Sequence, residues 1–356
     1  MVSSRGVVYL GSVVWAGGDA APFPDGVVVV DVDGRVAACG PAARVAVPYG
    51  LETHRAAWVG PAFVDAHVHL AFADPAAVAA GGVLLARDLG APLADALRWQ
   101  RGAAPRVAVA GPLLTAPGGY PTRSWGSGGF GAEVAGPDEA RRAVRELAAA
   151  GVDVIKVAFE PGDGGWPVPD PPTAAAVVRT AHESGLPVTA HALRAPMVAR
   201  ALDAGVDELC HVPTEPLPQA LVDRVAAAGV PVVGTLHTHR DTGATLANAA
   251  ALHAAGVPLL YGTDLGNTGT RPGVDPRELR LLAAAGPGPI GALRAATTAH
   301  AAGLDRRAPA GWAGRLAPGA PAVLVALDAD PLTSDGTGPV AVLPAGTVGG
   351  GPAGTG

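Results

Sequence analysis

The first sixty residues alternate short apolar runs with turn-forming residues. Segments 7–10, 27–32 and 35–38 are rich in β-branched side chains, and Asp33-Gly34 between the last two is a hairpin signal. From residue 62 the pattern changes, and apolar strands at 62–65, 83–86 and 106–110 are followed by helical spacing. The helix that starts at Pro137-Asp138 carries Ala140, Ala143, Val144 and Leu147 on one buried face and stops at Gly151, before a strand at 152–157. The same unit recurs. Helices at 173–184, 196–204, 219–228 and 245–255 lead through a glycine into strands at 187–190, 206–210, 230–236 and 257–261. Two more helices, near 276–285 and 290–301, close the series.

Strands alternating with helices in this number predict an α/β fold, a (β/α)₈ TIM barrel over residues 58–309. A doubly wound open sheet is the competitor, but this many βα units favours closure. After Arg315 the chain returns to strand and turn at 322–327 and 340–343. Residues 1–57 and 310–347 are therefore expected to form a small β-sandwich from both termini, with 348–356 a glycine-rich flexible tail.

Composition narrows the function. With 49% hydrophobic and 16% charged residues, the chain can bury a sizeable core. A net charge of −6 without a basic run argues against nucleic acid and anionic membranes as partners. There is no run of 18 apolar residues and no signal-peptide pattern, so no membrane span is expected. Cys39 and Cys210 lie far apart, which fits a reduced, cytoplasmic setting. No repeat or heptad points to an interface; a homo-oligomer stays open.

Lys156 is the single lysine in a chain otherwise using arginine, and it sits near the end of the strand at 152–157. Arginine replaces lysine as a surface cation but cannot lose its proton or form a carbamate. Chemistry is therefore the expected reason for Lys156. His67 and His69 follow the first barrel strand, His191 ends the fifth, His211 the sixth, and Asp264 follows the eighth. In a barrel the C-terminal strand ends gather at one mouth, and residues two apart on a strand share a side. Four imidazoles, a carboxylate and a modifiable lysine would converge there. That exceeds the need of one tetrahedral ion and suits two divalent ions bridged by a carbamate on Lys156.

His237-Thr238-His239 repeats the His-x-His spacing after the seventh strand and is expected to line the pocket wall. Cys210 precedes His211, so strand alternation turns it towards the helix layer as a small apolar residue. Arg194 could clamp a substrate carboxylate. Tyr120, Arg123 and Trp125 lie in a glycine-rich loop that could cover the mouth. Arg87-Asp88 should make a structural ion pair, and His54, His182, His253 and His300 carry no expected role in the chemistry.

At these residues the chain resembles the amidohydrolase superfamily of metal-dependent hydrolases. Val59-Gly60-Pro61-Ala62-Phe63-Val64-Asp65-Ala66-His67-Val68-His69 is similar to its entry motif. The GVDVIK string ending at Lys156, Thr189-Ala190-His191-Ala192, the GVDELCH string ending at His211, and Gly262-Thr263-Asp264 look like its prolidase and imidazolonepropionase branch. Three departures stand out: Leu-Cys-His-Val where Ile-Glu-His-Gly is usual, Tyr120 where relatives often have His, and Val323 where Asp is common.

The resemblance implies that His67, His69 and Asp264 hold the more buried ion. His191 and His211 would hold the second, and carbamylated Lys156 would bridge them. Two Zn²⁺ are expected, with Mn²⁺, Fe²⁺ or Co²⁺ tolerated. A metal-activated hydroxide would attack an amide-type carbonyl of a small molecule, with Asp264 as base and then acid. A mononuclear cyclic amidohydrolase or deaminase is the alternative, in which His211 polarises the carbonyl. A catalytically inactive metal-binding scaffold is a third.

Overall fold

A computed structural model describes residues 6–240, 243–298, 303–334 and 342–343. The strands are β1 (Val7–Val14), β2 (Phe23–Val30), β3 (Val36–Pro41), β4 (Glu52–Pro61), β5 (Phe63–Val68), β6 (Val83–Asp88), β7 (Arg106–Val109), β8 (Leu113–Thr115), β9 (Gly131–Glu133), β10 (Ile155–Ala158), β11 (Val188–His191), β12 (Glu208–Leu209), β13 (Val232–Val233), β14 (Leu259–Leu260), β15 (Leu324–Leu327) and β16 (Val342–Leu343). The helices are α1 (Pro75–Ala80), α2 (Leu93–Gln100), α3 (Pro137–Ala150), α4 (Pro171–Glu183), α5 (Ala195–Ala204), α6 (Gln219–Ala228), α7 (Thr245–Ala254), α8 (Pro276–Ala284) and α9 (Gly288–Ala295).

The fold is mixed α/β. Strands β14-β13-β12-β11-β10-β8-β9 make a seven-stranded parallel sheet, and β5-β6-β7 a three-stranded parallel sheet. Parallel neighbours need crossover connections, and α4 to α7 supply them along the larger sheet. At one flank the Ala66 N–H donates to the Tyr261 carbonyl at 3.0 Å and the His69 N–H to the Leu265 carbonyl at 2.7 Å. At the other the Asp153 N–H donates to the Val109 carbonyl at 2.8 Å. An arrangement bonded at both flanks fits a barrel. Every barrel strand expected from the sequence has a counterpart; β8 and β9, inside the long segment after β7, were not expected.

The helix pattern follows the predicted faces. In α3, Ala140, Val144 and Leu147 are buried, Ala143 is half-buried, and Gly151 closes the helix at φ 91°, a conformation that favours glycine. The expected second half of the last helix, with His300, lies partly outside the described residues.

Both ends of the chain share a six-stranded sheet in the order β16-β15-β4-β1-β2-β3. The turn at Asp33-Gly34 joins β2 and β3, as expected. Period-two alternation separates Val8 from Tyr9 and sends Val27 and Val29 to one face and Val28 to the other, and both faces are buried. Among the described residues these strands form one hydrogen-bonded sheet. β4 runs to Pro61 and pairs antiparallel with β15 over Trp58–Pro61. The segment 348–356 lies outside the described residues.

Candidate metal centre

β5 runs straight into the first two site residues. His67 Nε2, His69 Nε2 and Asp264 Oδ1 form a triangle with every side 3.3 Å. His67 Nδ1 faces the Cys210 carbonyl at 2.9 Å, and His69 Nδ1 faces the Gly90 carbonyl at 3.2 Å. A carbonyl only accepts, so each ring carries its proton on Nδ1 and turns an Nε2 lone pair inward. Asp264 Oδ1 is buried without a hydrogen-bond donor. Three lone pairs pointed at one another are repulsive unless a cation sits among them. An ion bound at about 2.0–2.1 Å from each atom has tetrahedral ligand edges of roughly 3.3–3.4 Å. The triangle has that edge, so the residues fit a divalent cation.

The backbone around the triangle is tied down. Asp65 Oδ1 accepts from the His67 and Thr263 N–H groups, both at 3.1 Å, and its Oδ2 accepts from the Thr263 hydroxyl at 2.6 Å. Asp88 accepts from the Leu70 N–H at 2.7 Å and the Gly90 N–H at 3.2 Å. Asp264 itself sits at φ 53°, a left-handed turn that swings its carboxylate back to β5.

Beside the triangle, His191 Nδ1 and His211 Nε2 face each other at 3.0 Å, and His211 Nδ1 meets the Thr235 hydroxyl at 3.0 Å. His211 Nδ1 is 3.9 Å from Asp264 Oδ2. The far side of His191 was not foreseen: its Nε2 lies 3.5 Å from Glu160 Oε2, and both atoms are buried and otherwise without hydrogen bonds. Glu160 thus stands where a carboxylate can orient the ring with Nδ1 inward. Its sequence signal was an acid four residues past Lys156, just beyond the end of the same strand.

Lys156 is buried in the cluster. Its Nζ donates to Cys210 Sγ at 2.7 Å. This corrects the expectation that Cys210 turns towards the helix layer. Regular β12 ends at Leu209, so strand alternation no longer governs Cys210. Its sulfur lies within 4.8 Å of ligand atoms of His67 and His211.

The two histidines after β13 separate. His239 stands edge-on to His211, ring centroids 5.1 Å apart, and His211, His239 and Asp264 form a further trio with ligand atoms within 4.8 Å. His237 turns away: its Nδ1 lies 3.2 Å from Asp275 Oδ2 and its Nε2 3.3 Å from Arg240 Nη1. Thr235, at φ 48°, breaks the strand before them and with it the expected alternation.

The expected substrate groups also divide. Tyr120 stacks on His191 with centroids 4.9 Å apart. Arg123 is exposed, with its guanidinium over Gly118. Arg194 is already engaged: it meets Asp163 at 2.5 Å, Glu215 at 3.4 Å and Glu160 at 3.6 Å. Arg87 pairs with Glu208 in the buried interior, not with Asp88.

Electrostatics favour cation binding. Burial lowers His67, His191, His211 and His239, leaving neutral rings at pH 7, the form that ligates metals. Burial acts the same way on His69, but contact with Asp264 outweighs it and raises that ring. Burial would raise Asp264, yet the surrounding imidazoles hold it well below the usual carboxylate range.

A mixed α/β frame of parallel strands with histidines and an acid converging at the strand ends defines a class, the metal-dependent hydrolases. The sequence profile of the amidohydrolase family matches residues 58–349, and the chain belongs to that family. It is an enzyme that hydrolyses carbon–nitrogen bonds with divalent metal. A Bifidobacterium longum protein classed provisionally as a prolidase is similar in structure, at 26% identity over 92% of this chain and 90% of its own, with a TM-score of 0.73. The fold is shared with an A. niger ochratoxinase at 20% identity, covering 95% and 93% with a TM-score of 0.74. It is also shared with a Xaa-Pro dipeptidase at 20% identity, covering 92% and 95% with a TM-score of 0.74. Comparison with curated proteins gives no match. Among the described residues no helix is long and apolar enough to cross a membrane.

Proposed function

We propose that the chain is a binuclear hydrolase of amide or peptide-like bonds in small molecules, working in a barrel closed along the two flanks described above. The observation that carries this reading is the 3.3 Å triangle of His67 Nε2, His69 Nε2 and Asp264 Oδ1, with both Nδ1 protons locked on backbone carbonyls.

The triangle would hold one ion. His191 through Nδ1 and His211 through Nε2 would hold the second, with His239 close enough to assist. Lys156 would bridge them as a carbamate: it is the lone lysine, buried among the imidazoles, and only a lysine can take up carbon dioxide in this way. Bound ions supply Lewis-acid polarisation and lower the pKa of water towards about 7. The chain's own residues would do the rest. Asp264 Oδ1 is committed to the triangle, while Oδ2 faces His211 and is placed to move a proton. It would take that proton from the attacking water and return it to the leaving nitrogen as the C–O bond forms and the C–N bond breaks. The likeness to the Bifidobacterium longum protein favours peptide-like substrates.

Two variants test the reading. Asp264→Asn should bind less metal and lose turnover by about 10²-fold or more, given that positioned acid–base groups contribute about 10²–10⁴. Lys156→Arg should bring the metal count per chain down together with activity. A fully metallated, fully active Lys156→Arg protein would remove the carbamate, and a fully active Asp264→Asn protein would remove the proposed role of Asp264.

A further inference from the structure

The chain has 15 aromatic residues, at 4% of the sequence, yet several of them gather at the cluster of histidines. Tyr120 stacks on His191 at 4.9 Å, and Trp125 stands edge-on to His69 at 5.3 Å. The two are joined by a hydrogen bond from the Trp125 indole N–H to the Tyr120 hydroxyl at 3.0 Å. Trp166 extends the wall beyond Tyr120 at 5.5 Å. Phe72 and Phe130, stacked on each other at 5.5 Å, extend it beyond Trp125 at 6.0 and 5.7 Å. The wall thus runs from one histidine pair to the other. Two of its rings remain open to solvent, Phe72 at 52% and Trp125 at 37% exposure. Large apolar rings left exposed beside a reactive site, each edge-on or stacked on a neighbour, present π faces to whatever enters.

Charge on the same mouth selects further. Arg194 shares Glu160 with His191, and it is also met by Asp163 and Glu215. Three carboxylates already surround that guanidinium, so an incoming carboxylate would find no uncommitted fork there. Arg123, the arginine of the loop that carries Tyr120 and Trp125, lies over Gly118.

We propose that this wall is a binding subsite for the ring of an aromatic amide that carries no free carboxylate. The proposal rests on the hydrolase reading above and narrows its substrate class.

The test uses three matched ligands on the metal-replete full chain, with binding measured by calorimetry and turnover measured separately. They are N-benzylacetamide, its saturated counterpart N-(cyclohexylmethyl)acetamide, and N-acetylphenylglycine, which adds a carboxylate to the first. The benzyl amide should bind about two- to tenfold tighter than the cyclohexyl amide, the range ring stacking supplies. It should also bind tighter than the carboxylate-bearing analogue, and Trp125→Leu should erase the preference for the aromatic ring. Equal binding of benzyl and cyclohexyl amides, or tighter binding of N-acetylphenylglycine, would overturn the proposal. Turnover separates the two readings. If the binding order is as expected and no amide is cleaved, the hydrolase reading fails while the subsite stands. If amides are cleaved without the aromatic preference, the reverse holds.

Discussion

Replacing Arg87 with methionine isolates a buried ion pair that supports the candidate site. Arg87 and Glu208 are both fully buried; the guanidinium bonds the Glu208 carboxylate through Nη2 and the Ala66 carbonyl through Nε at 2.9 Å. Ala66 directly precedes His67, so the same side chain braces β5 where it enters the metal centre. Glu208 also accepts from the Thr189 hydroxyl at 2.7 Å. Removing one partner of such a pair leaves an uncompensated charge and costs about 3–5 kcal/mol. Unfolding entropy near Tm is about 2.1 cal/mol/K per residue, or about 0.75 kcal/mol/K over 356 residues, so Arg87→Met should melt roughly 4–7 °C lower. Adding Glu208→Leu removes the stranded carboxylate and should recover more than half of that loss, a coupling read from the double-mutant cycle. Scanning calorimetry on the metal-replete proteins makes the measurement. An Arg87→Met variant that melts within 1–2 °C of the wild type yet has no activity would refute the structural role and place Arg87 in the chemistry.

Two further outcomes follow from other buried carboxylates. Burial holds the Glu278 carboxyl up at about 8, with Asp275 and Asp65 pushing the same way, against about 4.3 for a free glutamate. Folding therefore takes up a proton in this window, and the associated stability is complete below about pH 4 and lost as pH rises through about 8. Glu278→Gln should show a shallower fall in Tm between pH 5 and pH 9 than the wild type; parallel curves would contradict the assignment. Glu160→Gln should weaken the second ion's affinity by about 10–100-fold while the first is retained, the usual effect of losing a carboxylate behind a ligating histidine. Chelator competition reads this directly, and equal loss of both ions would show that Glu160 does not act through His191.

Much of the frame is legible in the sequence because its signals are local. The buried stripe of α3, the glycine stops after α3, α5 and α6, and the Asp33-Gly34 turn each depend on a few neighbouring residues. The histidines and Asp264 could be placed at strand ends for the same reason, and the structure brings them together. What sequence could not supply is side-chain direction past the end of a strand. β12 and β13 are two residues each, so Cys210 and the His237–His239 pair lie where the pleat no longer sets direction. Thr235 and Asp264 take left-handed backbone there, which no pattern of apolar residues encodes. Glu160 and the carboxylates around Arg194 escaped notice because their contacts join different βα loops. The single rule that strand neighbours alternate placed Cys210 away from Lys156, and the structure sets its sulfur 2.7 Å from the amine.

The central claim is that His67, His69 and Asp264 grip a divalent cation beside a second ion held by His191 and His211. Anomalous diffraction from crystals of the metal-loaded protein, collected at the absorption edge of the bound metal, tests it most directly. The account predicts two peaks, one centred on the triangle and one between His191 and His211, with added density on the Lys156 amine. A protein that binds metal elsewhere, with the triangle bare, would contradict it.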